Sequence, residues 1–554
     1  MLNLLPALLL SSLVSGSVIQ QPLSASGSQA SILTQKPLVD SETLQSHITS
    51  EKLLRRAKHL FKIAELGEDE YNHPTRVIGS EGKDYWAYRG CFEANANDST
   101  WAGHLATISY ILKTLADLGD YYTVSNQTFD AVVGNVFEFR LVLGDTVPKS
   151  TTAFSLTPPT KNKEAVFGDL VLVDNEGCSI KDFPKHTEGK IAFIKRGTCP
   201  FGEKSANAGK AGAIAAIVYN NEPGSIGGTL GTPNKNHVAT LGISKEEAEP
   251  YITDLKAGKT IKSSAYIDAI VRDIGTTNVI AQTKGGDQDN CVMLGGHSDS
   301  VAEGPGINDD GTGSLTLLEI ATHLTNYEVN NCVRFAWWAG EEEGLLGSDY
   351  YVSQLSNKEN QKIRLFMDYD MLASPNYAYQ VYNATNAVNP NGSEELRDLY
   401  VNWYKSHGLN YTFIPFDGRS DYDAFIKHGI PGGGIATGAE GIKTKEEEEM
   451  FGGKAGDWFD PCYHQLCDGV ENCDLEAWVI NAKVSLHKHD LLLRFEINIK
   501  SQLVSHTVAT YAKSFDGFPK REKVKSESIA EQNLYHGSKL VMWSKTWVGA
   551  CVVI

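Results

Sequence analysis

Three short apolar runs in the middle of the chain each end in a cluster of polar, mostly acidic residues. Cys291–Leu294 leads into Gly295-Gly-His297-Ser-Asp299-Ser. Val333–Trp338 leads into Ala339-Gly-Glu341-Glu342-Glu343-Gly, and Ile363–Met367 into Asp368-Tyr-Asp370. Gly306-Ile-Asn308-Asp309-Asp310-Gly follows the first cluster closely. Apolar runs of this length alternating with helical patterns predict parallel strands of an open sheet. The expected class is α/β, with a central, mostly parallel sheet flanked by helices. Sites in such sheets form at the carboxyl ends of the strands, so the histidine and the acids are expected to gather there. Elsewhere, Leu53-Leu54-Arg-Arg-Ala57-Lys-His-Leu60-Phe61 and Ala106–Leu115 have helical spacing. Between about 148 and 268 the composition changes: Gly168–Asp174, Gly189–Gly197 and Ala215–Asn220 read as strands, and Glu203–Ala213 as a small-residue helix.

Imidazole and carboxylate together suit zinc and similar divalent metals. Taken singly, each cluster has a plainer reading. His297 also fits a hydrogen-bonded core histidine, Asp309-Asp310 between glycines fits a turn, and Glu341–Glu343 fits a solvated helix start. Three clusters closing adjacent strands favour a metal site, and a glycine-flanked Asp-Asp turn lets the backbone bring a carboxylate close. A further ligand is expected downstream, in Asp460-Pro-Cys462-Tyr463-His464-Gln-Leu-Cys467-Asp468. A Cys462–Cys467 disulfide would pin a small loop and fix His464; the same segment also reads as a structural disulfide loop with an exposed histidine.

These motifs resemble the zinc-dependent aminopeptidases typified by secreted bacterial two-zinc enzymes and by fungal secreted and vacuolar leucine aminopeptidases. The resemblance covers roughly 36–520. It implies a two-zinc exopeptidase fold and two zinc ions: His297 and Asp370 each on one, Glu342 and His464 on the other, Asp309 bridging. It implies Glu341 as general base, Tyr463 as the phenol that stabilises the oxyanion, and Asp299 as the acid that orients His297. Gly418-Arg419-Ser420-Asp421 resembles the loop lining the substrate end, with Arg419 in substrate binding. Asp368 stands where many relatives carry Asn, and Tyr422-Asp423 departs from the usual His-Ala. Metals sharing a water lower its pKa toward neutrality. The free α-amine of a peptide would sit among acids, Glu341 and Asp370, which makes peptides with a free N-terminus the expected partners. Leucine or another bulky apolar residue is the side chain the resemblance implies. The segment 148–268 resembles the protease-associated domain, a β-rich insert, on the cue Arg196-Gly-Thr-Cys199-Pro-Phe201. It carries no metal or nucleophile constellation and reads as a lid or as a stabilising insert. Its joints are expected near Asp145–Thr160 and Ala269–Thr277. The peptidase domain is then expected over 51–147 and 269–520.

The chain has 554 residues and a formal net charge of −18. That length suits two domains, and the charge disfavours nucleic acid or an anionic membrane as partner. Leu2–Val14 is short and apolar, followed by Ser15-Gly-Ser17. It reads as a signal peptide over 1–18, although no Lys or Arg precedes it. The Ser/Gln-rich stretch 19–50 reads as a propeptide, disordered at first. Secretion is expected, with vacuolar delivery as the alternative, and a monomer. Sequons at Asn97, Asn126, Asn383, Asn391 and Asn410 fit glycan sites on that route. Of the 9 cysteines, Cys178 and Cys199 are expected to pair. Cys291 and Cys332 open strands that carry ligands, and a bridge between them is reasonable if those strands are neighbours. Cys91, Cys473 and Cys551 are left over.

Two stretches depart from the family, 83–103 and 484–504; each interrupts a helical pattern, and both fit retained introns. The tail 521–554 is also atypical. A carboxypeptidase would need an arginine cluster for a carboxylate, and only Arg419 lies near. A glutaminyl cyclase would hold a single zinc. Gly418-Arg-Ser420-Asp-Tyr422 lacks the final glycine of a nucleophile elbow, and a catalytically dead receptor-like protein would have lost ligands that are present here.

Overall fold

The computed structural model describes residues 36–80, 103–231, 233–482 and 503–521. Its strands are β1 (Tyr122–Leu143), β2 (Thr152–Ala153), β3 (Val166–Leu172), β4 (Ile191–Lys195), β5 (Ala215–Tyr219), β6 (Thr240–Ile243), β7 (Lys262–Thr283), β8 (Asp287–His297), β9 (Asn331–Trp338), β10 (Ile363–Tyr369), β11 (Gln380–Tyr382), β12 (Thr412–Ile414) and β13 (Gly432–Ala436). They run in the order β12-β11-β13-β10-β8-β9-β7-β3-β4-β5-β6-β2, with β1 paired to β7 alone.

The three acid-ending runs are the adjacent strands β10, β8 and β9, all parallel. Residues Val292 and Leu294 of β8 face one core, with Trp337 and Trp478. Met293 faces the other, with Trp338 and Phe366; there Phe366 stacks on Phe425 at 3.7 Å. Both faces are covered, which is why these strands read as unbroken apolar runs rather than alternating ones. Their register sets Gly295 beside both Ala336 and Asp368, and His297 beside Trp338. All three strands therefore end at one level. The Cys291–Cys332 disulfide joins β8 to β9 near their starts.

The joint expected at Ala269–Thr277 is corrected. Those residues lie inside β7, which pairs with β1 along nearly its whole length, each strand being 22 residues long. The polar residues that resemble a linker are held by cross-strand pairing; Thr128 and Thr277 share a hydroxyl hydrogen bond of 3.0 Å. One end of this ribbon packs β7 on β9, and the other packs it on β3. Beyond β3, the parallel strands β3 to β6 enclose their own core around Phe193, Ile217 and Leu241. The expected Cys178–Cys199 disulfide is present, as is Cys462–Cys467.

The disorder expected through residue 49 is also corrected from 36 onward. Asp40 caps the helix Ser41–His47 by accepting from Thr43 N at 3.0 Å, and Val39, Leu44 and Ile48 are buried in the main core. The signal peptide 1–18, the propeptide as far as 35, Asn97, Cys91 and Cys551 lie outside the described residues. The inserts 83–103 and 484–504 do so almost entirely. At their described margins, Gly103 lies so close to Ser80 that a Cβ there would collide with the serine hydroxyl. The helices Leu475–Ala482 and Leu503–Lys513 pack on one another. Asn126, Asn383, Asn391 and Asn410 are all exposed. Among the described residues no helix is long and apolar enough to cross a membrane.

Glu319 ties the helix Thr312–Leu324 to the helix Ser50–Ala64. Its carboxylate is 2.6 Å from Arg56 Nε, 3.0 Å from His323 Nε2 and 3.7 Å from Lys52 Nζ. Burial pushes the Glu319 carboxyl up, but His323 and Arg56 outweigh it and hold it at about 2. This stabilisation is present above the ordinary value of 4.5 and is lost as pH falls through about 2. Glu319→Ala leaves Arg56 without its buried partner and is expected to destabilise the fold by about 3 kcal/mol in denaturant titration at neutral pH. An unchanged midpoint would refute that role.

Candidate metal centre

His297 closes β8, Glu341 and Glu342 lie in the turn just past β9, and Asp370 follows β10. Asp309 comes from the turn of helix Ile307–Gly311, entered through Gly306 at φ +59°, a left-handed conformation that glycine adopts without strain. His464 sits in the Cys462–Cys467 loop. The chain thus returns five times to the end of three strands.

Asp309 stands between two histidines. Its Oδ1 is 3.2 Å from His297 Nε2, and its Oδ2 is 3.2 Å from His464 Nε2. His464 Nε2 is also 3.0 Å from Glu342 Oε2, and His297 Nε2 is 3.8 Å from Asp370 Oδ1. Two groups of possible ligands emerge, His297–Asp309–Asp370 and Asp309–Glu342–His464, each with donor atoms within 4.8 Å of one another. Glu341 joins His297 and Glu342 in a third such group, with its Oε2 3.9 Å from His297 Nε2.

The donor set fits divalent cations. Nitrogen and carboxylate oxygen are the ligands borderline metals prefer. Glu342 Oε1, Asp370 Oδ1 and His297 Nδ1 are buried without a hydrogen-bond partner, and buried polar atoms are normally satisfied. The electrostatics agree. Burial, with Asp309 nearby, raises the Glu342 carboxyl to about 7. Burial and the Asp309 charge raise Asp370 to about 6 against the opposing pull of His297. Glu341 is pushed well above the usual carboxylate range by burial and by Glu342, Asp421 and Asp370. Burial would lower His464, but Asp309 and Glu342 outweigh it and raise the imidazole to about 11. The cluster holds more negative charge than its own cations neutralise.

The other residues expected from the sequence sit close by. Asp299 Oδ1 lies 3.7 Å from His297 Nδ1, beyond hydrogen-bond length. Its carboxylate instead accepts from the amides of Gly340 at 2.9 Å and of Glu341 and Glu342 at 3.4 Å, so it anchors the turn that carries both glutamates. The Tyr463 ring stacks on His464 with centroids 3.8 Å apart. Arg419 is exposed and pairs with Glu440 at 2.9 Å. Ser420 Oγ donates to Asp370 Oδ2 at 2.9 Å, and Tyr422 N donates to Asp368 Oδ2 at 3.1 Å.

Sequence reading missed the residues that hold Asp309 from behind. Asp468 accepts from the amides of Asn308 at 2.9 Å and Asp309 at 3.1 Å, and Asn472 Nδ2 donates to it at 3.1 Å. Asp460 accepts from Asn308 Nδ2 at 2.7 Å. Buried Arg76 donates to the carbonyls of Ser298, Pro305 and Gly306. Asp468 was legible as the residue after Cys467; nothing local marks Arg76. Cys473 is an unpaired, half-buried thiol.

Two models match the chain: peptidase family M28 over residues 278–487 and the PA domain over 166–251. Aminopeptidase Y of Saccharomyces cerevisiae is 46% identical over 504 residues, covering 89% of this chain and 84% of that protein. Leucine aminopeptidase 2 of Trichophyton equinum is 38% identical over 501 residues, 90% of this chain and 91% of that protein. Among solved structures, the aminopeptidase from Aneurinibacillus sp. strain AM-1 shares the fold with a TM-score of 0.60 at 24% identity, over 88% of this chain and 99% of that one. BSAP, a zinc aminopeptidase from Bacillus subtilis, does so with a TM-score of 0.51 at 23% identity, over 85% and 98%.

Two substitutions test the geometry. Asp468→Asn replaces an oxygen facing a backbone amide with an NH2 group, which repels it. Metal affinity measured by chelator competition is expected to fall about 10–100-fold with an unchanged circular dichroism spectrum; unaltered affinity would mean that Asp468 does not position Asp309. Glu342→Ala removes an oxygen 3.0 Å from His464 and should lower the metal bound per chain, read by atomic absorption.

Proposed function

The chain belongs to peptidase family M28 and is a metallo-aminopeptidase, and from that premise we propose that it holds two zinc ions and removes bulky apolar N-terminal residues, leucine foremost, from peptides. His297 and Asp370 would hold one ion, Glu342 and His464 the other, and Asp309 would contact both. The observation that carries this reading is Asp309, whose two oxygens each lie 3.2 Å from a different histidine. The name of the Bacillus subtilis neighbour supports zinc as the metal. The names of the Trichophyton relatives support leucine.

Bound there, zinc supplies Lewis acidity, polarising a carbonyl and acidifying water. The rest falls to the chain. Glu341 reaches the cluster without being needed by either ligand group. Buried beside the two ligand groups, it takes the proton of the attacking water and hands it to the leaving amine. The Tyr463 hydroxyl donates to the oxyanion that forms at the scissile carbonyl, and stacking on His464 fixes its ring. The α-ammonium of the substrate pairs with Glu341 and Asp370; Ser420 steadies the latter. An acidic recess of this kind favours a cationic amino end and repels a carboxylate, which makes the enzyme an exopeptidase for N-termini.

The surrounding layout completes the reading: a leader over 1–18, a propeptide over 19–50, the peptidase domain split around a protease-associated insert at about 148–268, and the stretches 83–103 and 484–504 as additions to the family pattern. Export, into the medium or to a vacuole, suits the apolar leader, the three disulfides and the exposed sequons. A monomer is the expected state.

Leucyl-anilide should be cleaved and its N-acetylated form should not, with activity abolished by a zinc chelator and restored by zinc. Cleavage of the acetylated form at a similar rate would sink the exopeptidase assignment. Glu341→Gln is expected to cut kcat by about 10³-fold while both ions stay bound; loss of metal from that variant would make Glu341 a ligand rather than the base.

A further inference from the structure

A cavity of about 540 Å³ opens beside the metal loop, lined among others by Pro375, Ile442, Lys454, Asp457, Trp458 and Pro461. Its walls are apolar and partly bare: Trp458 is 40% exposed and Ile442 55%. Large apolar side chains left exposed around a concavity mark binding surfaces more often than isolated ones do.

The cavity is rigidly framed from below. Lys443 is buried, and its Nζ donates to Asn376 Oδ1 at 3.2 Å, Tyr377 O at 2.8 Å and Gly452 O at 2.7 Å. Asn376 in turn donates to the carbonyls of Lys454 and Trp458 at 3.0 Å each and accepts from Lys454 N at 2.9 Å. A buried lysine spent wholly on loop carbonyls holds the Gly452–Trp458 loop in one shape, so the recess is preformed.

The cavity wall is also joined along the chain to the reaction centre. Ile442 and Trp458 form an antiparallel bridge. Phe459 N donates to Gly441 O and Asp460 N to Ala439 O, at 3.0 Å each. This ribbon carries the cavity wall at one end. At the other it passes through Glu440, the partner of Arg419, and through Pro461 into Tyr463 and His464. Extended chain spans at most about 3.5 Å per residue, so Pro461 lies within about 7 Å of Tyr463, and Trp458 within about 17 Å, Cα to Cα. These are upper limits, which an extended peptide spans in about two and five residues respectively, so the cavity wall lies within about five residues of substrate from Tyr463.

We propose that this cavity is a subsite for an apolar side chain of the peptide substrate, within about five residues beyond the bond that is cut. The proposal rests on the reading that Tyr463 and His464 mark the reaction centre. It makes the enzyme sensitive to sequence well downstream of the residue it removes. Lys454 and Asp457 pair at the rim at 2.8 Å and leave the apolar floor for a leucine, methionine or aromatic side chain.

The test uses the full-length, zinc-loaded chain and a set of Leu-initiated glycine peptides in which one Phe or one Asp is moved along the third to sixth positions. The expected result is kcat/KM about tenfold higher for Phe than for Asp at one or two of those positions. Trp458→Ala and Ile442→Ser should each erase that preference while leucyl-anilide turnover is unchanged. Asn376 holds Trp458 through its backbone carbonyl, so removing the indole leaves the frame intact. Equal rates for Phe and Asp at every position would overturn the proposal. So would an equal loss on leucyl-anilide in both variants, which would make the wall a support for the metal loop. Failure of the unaltered chain to cleave leucyl-anilide at all would remove the reaction centre and the subsite together.

Discussion

Everything in this molecule is arranged around carboxylates packed closer together than carboxylates tolerate. Asp309, Glu342 and Asp370 meet at the ends of three neighbouring strands, with Glu341, Asp299, Asp310, Asp421 and Asp468 close behind. Two like charges 4 Å apart repel by about 4 kcal/mol at an effective dielectric of 20. The chain meets this cost in two ways. Two of the acids behind the cluster are held by backbone amides: Asp299 by the Gly340–Glu342 turn, Asp468 by Asn308 and Asp309. Glu342 and Asp370 are each left with one buried oxygen that has no hydrogen-bond partner, beside two histidines, a set that suits a divalent cation.

The sheet makes the crowding possible. Strands β8, β9 and β10 are parallel and in register, so their carboxyl ends open at one level. Both faces of these strands are covered by core, which fixes the level at which each acid emerges. Close approach also demands missing side chains: a Cβ on Gly313 would run into the Tyr369 carbonyl and the Asp310 carboxylate. The Cys462–Cys467 disulfide then brings His464 to Asp309 from far along the chain and turns its other end, at Asp468, toward the amide of Asp309.

The insert is attached more stiffly than a tethered module. Long strands β1 and β7, paired with one register shift at Val136/Glu138, run from β9 to the strands of the protease-associated part. Motion of the insert relative to the centre would have to bend this ribbon, whereas a flexible joint would leave both sheets undisturbed. The ribbon and the Ile442–Trp458 wall are separate devices, one setting the insert and the other extending the site along the substrate.

The sequence by itself determined the chemistry and the sheet that bears it. Apolar runs ending in acids identify the strands because burial on both faces leaves no other composition open to them, and the ligand types sit at the strand ends where a reader of the chain can find them. The helix spacing of Leu53–Phe61, the disulfide loop around His464 and the composition change near 148 were legible for the same reason: each is a local pattern with a local cause. Tertiary structure decided the rest. Polar residues at Ala269–Thr277 look like a linker until β1 pairs with them, and residues 36–50 look disordered until their few apolar side chains meet a core made elsewhere. Arg76 and Asp468 hold backbone atoms distant in sequence, and the cavity beside Trp458 exists because Lys443 and Asn376 gather loops from two regions. Such interactions are set by which surfaces the fold brings together, and no neighbour in the sequence records them.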